Sequence, residues 1–479
     1  MLLDILSQTY SITKFYAEIK SAEGAITSAM LSDLWLSSRP RRFIEENLFL
    51  RYQGTSLPIQ SRTTSALDQI NNKINNDFRG DIVDTGTAYI LGNPIKYTIK
   101  PERYIDGQKS AAFKKDTDFF DEFLEVNQFD DTDFETGIFQ SVCGHGARLC
   151  YVGLNKTLSG YPDYRVVNID PTECVFVYNP STGELDYSVR FYAIWETDSQ
   201  GTLRKKYQAE FYDKQYVYYY LSDYSFQNFI KNREPQLHNF DYVPLFEVMN
   251  NVNKQGDFEK VEELIDAYDR SFSDNQNEIE AFRLAYLVTY GITLSTADIK
   301  KAKAAGVFQM EATDKMEYLT KQINKEFTDS HLDRATKNIY RFSKSVDVTS
   351  ETFTGSGASG EARKWALLSL ENKGSIKIAK FKKALNYQFK VLASAWNKIG
   401  ISLNESMINI QFDRNLPVEM LQESQVAANL KGIVSDRTLF ENLSIVKNAD
   451  DEIIRKQLEQ TPIDLDNMNN DSEDESVEE

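Results

Sequence analysis

A chain of 479 residues that is 41% apolar and 26% charged can bury more than one core, and its 12% aromatic content excludes general disorder. The net charge of −18 excludes a surface that gathers nucleic acid over its whole extent, so contact with DNA has to be local or weak. Three cysteines (Cys143, Cys150, Cys174) are too few and too clustered for a disulfide framework, and three scattered histidines leave little for a metal or triad site.

The opening Met1-Leu2-Leu3-Asp4-Ile5-Leu6 has no basic region ahead of it, and no apolar run reaches transmembrane length. A soluble protein made in a cytoplasm is expected. Residues 1–60 are mostly helical in pattern and close on a basic and aromatic cluster, Arg39-Pro40-Arg41-Arg42-Phe43 and Phe49-Leu50-Arg51-Tyr52. A helical run from Asp81 to Leu91 is stopped by Gly92-Asn93-Pro94, and Ile95–Lys100 alternates as a strand. Helical spacing returns between about 115 and 140, through Phe119, Phe120, Phe123, Leu124, Phe134 and Ile138. Residues 147–245 form a β-rich block, with strands expected at Leu149–Leu154, Cys174–Tyr178, Tyr187–Trp195, Tyr207–Tyr212 and Gln215–Tyr220.

After Asn250-Asn251 the pattern changes. Phe258–Tyr286 is an amphipathic helix with an acidic face that includes Glu259, Glu262, Glu263, Asp266 and Asp269. A short α/β insert (290–322) follows, and a second helix, Phe327–Lys344, runs back beside the first. A polar segment, Val346–Phe353, then leads through Thr354-Gly355-Ser356-Gly357-Ala358-Ser359-Gly360 into a proline-free helical pattern from Glu361 to Lys398. A helix of roughly 40 residues spans about 60 Å. Only Gly374 interrupts it, at about 1 kcal/mol relative to alanine, which marks a candidate bend. Between Ser359 and Lys398 nine basic residues face only Glu361 and Glu371, so part of this helix, whose basic face carries Lys373, Lys377, Lys380 and Lys383, is expected to meet acidic neighbours between subunits, with some of it facing DNA. Beyond Gly400 come a strand (Ile408–Phe412), helices to about Leu458, and a tail from Asp471 to Glu479 with six acids in nine residues, expected to be disordered.

Three local patterns carry chemistry only on a literal match. Gly355-Ser356-Gly357-Ala358-Ser359-Gly360 fits a dinucleotide fingerprint, but a long helix follows where a short βαβ unit is required. The Asp130–Glu135 cluster could hold metal in a two-metal nuclease, although acids ahead of a helical pattern more commonly serve as caps and solvated charge. Cys143-Gly144-His145 with Cys150 matches no zinc spacing. No catalytic, cofactor-binding or metal-ligating residue is assigned.

Four stretches together, in order over about residues 45–445, resemble the portal proteins, or head–tail connectors, of long-tailed bacteriophages. They are Phe49…Tyr52-Gln53-Gly54 with Asn71…Phe78 and Ile82-Val83-Asp84…Gly92-Asn93-Pro94-Ile95; Asp257-Phe258…Asp269…Ser273-Asp274…Asn277-Glu278-Ile279-Glu280; Leu319-Thr320-Lys321…Ile339-Tyr340-Arg341-Phe342-Ser343 into Val346-Asp347-Val348; and Ser359-Gly360-Glu361-Ala362-Arg363-Lys364 with Phe412…Asn415-Leu416-Pro417. The small-apolar-basic pattern at Glu361-Ala362-Arg363-Lys364 is only partly kept.

The resemblance implies an α+β portal fold: an α/β wing (1–255), an antiparallel helical stem (256–289 and 325–345), a small α/β clip (290–324), a tunnel loop (346–358), a long wing helix (359–400), a mostly helical crown (401–470) and the acidic tail (471–479). It also implies a homo-oligomeric ring of about twelve subunits at one capsid vertex, through which double-stranded DNA enters and leaves. The implied partners are terminase, major capsid and scaffolding proteins and a head-completion or neck protein. No membrane is implied, and the locations are the virion and, during assembly, the host cytoplasm. The DNA-facing loop residues would be Asp347, Thr349, Ser350, Glu351, Thr352, Thr354 and Ser356, hinged at Gly355, Gly357 and Gly360. Acidic and polar linings suit a channel that must not hold DNA, since each phosphate neutralised by Lys or Arg adds salt-dependent affinity. The alternatives are a metal-dependent nuclease using Asp130–Glu135 and a capsid scaffold without a channel.

Overall fold

The structure, a computed structural model, describes residues 2–22, 24–63, 70–100, 111–197, 201–222, 225–282, 286–290, 295–306, 315–319, 325–350, 360–415, 420–441, 443, 445–446 and 449–460. The chain forms two compact units, Met1–Arg414 and Asn415–Glu479.

The first unit opens with α1 (Leu2–Ser21) and α2 (Ser28–Tyr52), which runs on through Pro40 and is capped by the Thr27 side chain accepting from the Met30 amide. Next come α3 (Phe78–Leu91), β1 (Lys96–Ile99), α4 (Ala111–Asn127) and α5 (Phe129–Cys143). The single helical run expected near 115–140 is therefore two helices, broken at Gln128, whose φ of 47° is left-handed.

The β-rich block is confirmed and larger than expected. Strands β2 (His145–Lys156), β3 (Pro162–Ile169) and β9 (Leu245–Met249) form one antiparallel sheet in the order β3-β2-β9. Between them β4 (Cys174–Tyr178), β5 (Leu185–Thr197), β6 (Leu203–Tyr212), β7 (Tyr216–Ser222) and β8 (Ile230–Leu237) make a five-stranded meander. Its longest ladder pairs Ser188 with Tyr212 through to Thr197 with Leu203. α1 and α2 cover one face, with Phe15 against Phe211 and Trp35 against Phe191.

α6 (Glu262–Phe282), β10 (Tyr286–Tyr290), α7 (Thr296–Ala305), β11 (Lys315–Leu319) and α8 (Lys325–Ser343) follow. β10 and β11 pair antiparallel from Tyr286↔Leu319 to Tyr290↔Lys315, and α8 returns beside α6. The expected helix Phe258–Tyr286 is thus shorter: Tyr286 opens a strand whose register with β11 fixes it in the insert.

The long helix exists. α9 (Gly360–Trp396) is continuous through Gly374, which lies buried against the Ile90 side chain of α3. Its apolar positions at helical spacing face inward: Leu370, Ile378, Phe381, Leu385, Phe389, Leu392 and Trp396 are all buried in the largest core, and Leu367 packs against it partly buried. Burying each such side chain stabilises by about 1.5–3 kcal/mol, which is how one helix can organise the sheets and helices packed on it. β12 (Ile408–Gln411) then pairs with β1, Lys96 opposite Gln411 and Ile99 opposite Ile408. That pairing, with Ile401, Leu403, Ile408 and Ile410 in the main core, keeps residues 401–414 in the first unit, where a C-terminal crown was expected to begin.

The second unit contains α10 (Met420–Leu430), α11 (Asp436–Glu441) and α12 (Ala449–Gln460), with Lys456 of α12 bonded to Asp436 of α11 at 2.7 Å. The acidic tail 471–479 lies outside the described residues.

Candidate functional site

The acidic face of α6 meets arginines. Arg79 of α3 is 1% exposed and holds Glu262 at 2.9 Å and Asp266 at 2.6 Å, with Asp269 at 3.7 Å. Arg51 of α2 bonds Glu262 and reaches Asp266 at 3.0 Å. Arg41 holds Glu259 at 2.9 Å and also donates to the carbonyls of Cys143 and Lys254. Asp269 accepts from both the backbone and side-chain nitrogens of Asn76 at 2.9 Å. Burial pulls the Arg79 pKa down, but Glu262, Asp266 and Asp269 outweigh it and the net shift is upward. Of the five acids named on the acidic face, Glu259, Glu262, Asp266 and Asp269 are engaged inside the subunit, and Glu263 is exposed. The basic cluster at 39–51 and the acidic helix were both visible in the sequence, but nothing local indicated that they are partners.

The basic face of α9 divides in two. Lys377 is 2% exposed and donates to the Gly137 carbonyl at 3.0 Å and to the Ser141 hydroxyl, with Asp257 at 4.0 Å. Burial lowers its pKa to about 8, while Asp257 acts in the opposite sense. Lys373 sits 3.3 Å from Asp257 and donates to the Ser343 carbonyl. Asp257 is itself buried, yet its pKa is lowered, because Lys373 and Lys377 overcome the desolvation. These two lysines therefore fasten α9 to α5 and to the turn before α6, and the acid they meet, Asp257, belongs to their own subunit.

Lys380 and Lys383 point elsewhere, into a groove of about 310 Å³ walled by β9, the β4–β5 turn and α9. Glu371, the acid of α9 within the described side chains, is held to a pKa of about 2, first by the Arg414 guanidinium and then by the Tyr89 hydroxyl. It ties α9 to the end of β12 and to α3.

Of the expected tunnel loop, Val346 to Ser350 are described. Val346 is buried, and Asp347 accepts from the Thr349 amide at 2.9 Å and hydroxyl at 2.6 Å, a local turn that leaves both side chains on a polar surface. Glu351, Thr352, Thr354, Ser356, Gly355 and Gly357 lie outside the described residues, and Gly360 begins α9.

The nuclease alternative meets a different geometry. Asp133 is buried in a 2.6 Å pair with Arg148 and accepts from the Tyr97 hydroxyl, whereas Asp130, Asp131 and Glu135 are exposed. Among the described residues no group of acids, histidines and cysteines could hold a metal ion. Cys143, Cys150 and Cys174 are buried free thiols whose pKa values are pushed up by desolvation, as small core residues should be.

A family model described as "Phage portal protein, SPP1 Gp6-like" matches residues 44–463. The chain is also similar to a "Portal protein" of Clostridium phage phiCD119, 24% identical over 402 residues that cover 80% of this chain and 83% of that relative.

Proposed function

The chain belongs to the SPP1 Gp6-like family of phage portal proteins, and from that premise we propose how its parts divide the work. It is a portal subunit for DNA packaging and a structural protein, not an enzyme. Portal subunits act as an oligomeric ring with DNA and with capsid and packaging proteins at a vertex of the virion. Among the described residues no helix is long and apolar enough to cross a membrane.

In the proposed division, α6 and α8 are the stem, β10-α7-β11 is the clip that docks terminase and head-completion proteins, and residues 346–358 are the tunnel loop. The observation that carries this reading is the order helix–strand–helix–strand–helix, in which two helices packed side by side are joined through a small paired module at one end. Such a module is placed to project from a ring while the helices line it. α9 follows the loop in the chain and is anchored in the main core, so it resists movement of the loop. The ring number is proposed as about twelve, with the host cytoplasm as the place of assembly.

The test is a deletion of Ser350–Gly357. Rings should still assemble, because the cores that hold the body together are built from other residues, while DNA packaging in a reconstituted prohead assay should fall to background. Packaging at the wild-type level by the deleted protein would refute the tunnel-loop assignment.

A further inference from the structure

The groove on α9 leaves positive charge unanswered. Of its four lysines, Lys214 is paired with Asp186 at 3.0 Å, and Lys390 lies over the Tyr242 ring at 4.4 Å. Lys380 and Lys383 have no acidic partner within ion-pairing distance among the described residues, and Lys383 is exposed. The groove also contains two acids, but Glu247 is already held by Lys254 at 2.9 Å and by the Tyr178 hydroxyl at 2.7 Å. That leaves Glu184 against Lys380, Lys383 and Lys390, a net positive site on a chain of charge −18.

The opposite flank of the same unit is acidic. On α4, Phe119, Phe120 and Phe123 are buried against α9, with Phe120 on Phe389 and both Phe119 and Phe123 on Trp396. Asp118, Asp121 and Glu125 occupy the outer side of α4 and are exposed, and Asp130 and Asp131 continue the acidic ridge into the first turn of α5. Partial burial, and to a smaller extent the neighbouring Asp118, raise the Asp121 pKa.

The two faces point apart. At about 100° per residue, Lys380, Lys383, Tyr387 and Lys390 share one side of α9, and Phe389 and Trp396, which carry α4, lie roughly 150° round the helix. Tyr387 packs on Phe246 on the groove side, which fixes that side against β9.

We propose that the lysine groove of one subunit receives the acidic α4–α5 ridge of the next. A lysine groove cannot be complementary to itself, so a twofold contact through it is repulsive. Two unlike patches on opposite flanks instead give a head-to-tail contact, and repetition of such a contact closes into a ring when the rotation permits. The proposal rests on the ring reading above and assigns the surfaces that make it. It also explains how many copies at −18 each can stand side by side, since each contact sets the groove's positive charge against the ridge's negative charge.

The experiment compares three chains by native mass spectrometry and negative-stain microscopy: wild type, a groove variant (Lys380→Glu with Lys383→Glu) and a ridge variant (Asp121→Lys with Glu125→Lys). Circular dichroism melting checks that each variant folds. Like charges opposed across a contact cost enough to raise the concentration for half-assembly by about tenfold or more. Each variant alone should therefore assemble poorly, and an equimolar mixture of the two, in which both kinds of contact again join opposite charges, should recover rings. Folded groove variants that form rings as well as wild type overturn the proposal; if they also bind DNA more weakly, the lysines serve the nucleic acid instead. Failure of the mixture to recover rings overturns it too. A wild-type chain that forms no rings refutes the ring reading itself, an outcome distinct from either.

Discussion

The acids of α6 and the lysines on the groove side of α9 are both charged stripes at helical spacing, yet they end differently. Among the described residues every acid of the first set except Glu263 finds a partner inside the subunit, and Arg79 meets three of them while almost wholly buried. Lys380 and Lys383 find none among the described residues. A charged stripe on a helix thus says that charge will be compensated, but not by what. Charge satisfied within the chain holds the body together, and charge left over is what remains for assembly.

The comparison breaks first at Arg79. Removing one partner of a buried ion network leaves uncompensated charge and costs about 3–5 kcal/mol. Arg79→Ala should therefore lower the urea midpoint strongly, whereas Glu263→Ala, at an exposed position, should leave it nearly unchanged. Equal effects of the two would mean that the arginine network contributes little to the fold.

Lys377 sharpens the inner half of the comparison through pH. Its folded pKa of about 8 lies below the ordinary 10.5, so between those values the unfolded chain holds the proton and the folded chain does not. Stability then rises with pH across that window, by up to a few kcal/mol, and below about pH 8 the charged lysine is borne at full cost. Urea melts at about pH 7.5 and about pH 10 should show that rise in the lysine's contribution, and Lys377→Met should lack it. The same rise in both proteins would place its origin in another group. The groove variants should show the smallest effect on stability, because Lys383 is exposed and surface pairs are worth about 1 kcal/mol or less; their effect belongs to assembly.

The long helix, the β-rich block and the helix–insert–helix order were legible because each is written in local periodicity. α9 is the clearest case, since its buried positions were readable residue by residue. The fate of charge was not legible. Arg79 and Glu262 are 183 residues apart, and no spacing rule connects them. The pairing of the C-terminal strand was hidden for the same reason: Ile408–Gln411 reads as a strand, but its partner β1 lies more than three hundred residues earlier in the chain. Gly374 was read as a candidate bend from its low helix propensity; it is buried beside Ile90, where an added Cβ would meet side-chain atoms at an ordinary 3.5 Å, so packing alone does not demand a glycine there.

The central claim is that this chain is a portal subunit that works as a closed ring. Electron microscopy of the purified wild-type protein, with its native mass measured on the same sample, tests it most directly. The account predicts closed rings of uniform subunit number with a continuous central channel wide enough for duplex DNA. Monomers under all assembly conditions, or rings with a channel too narrow for the duplex, would contradict it.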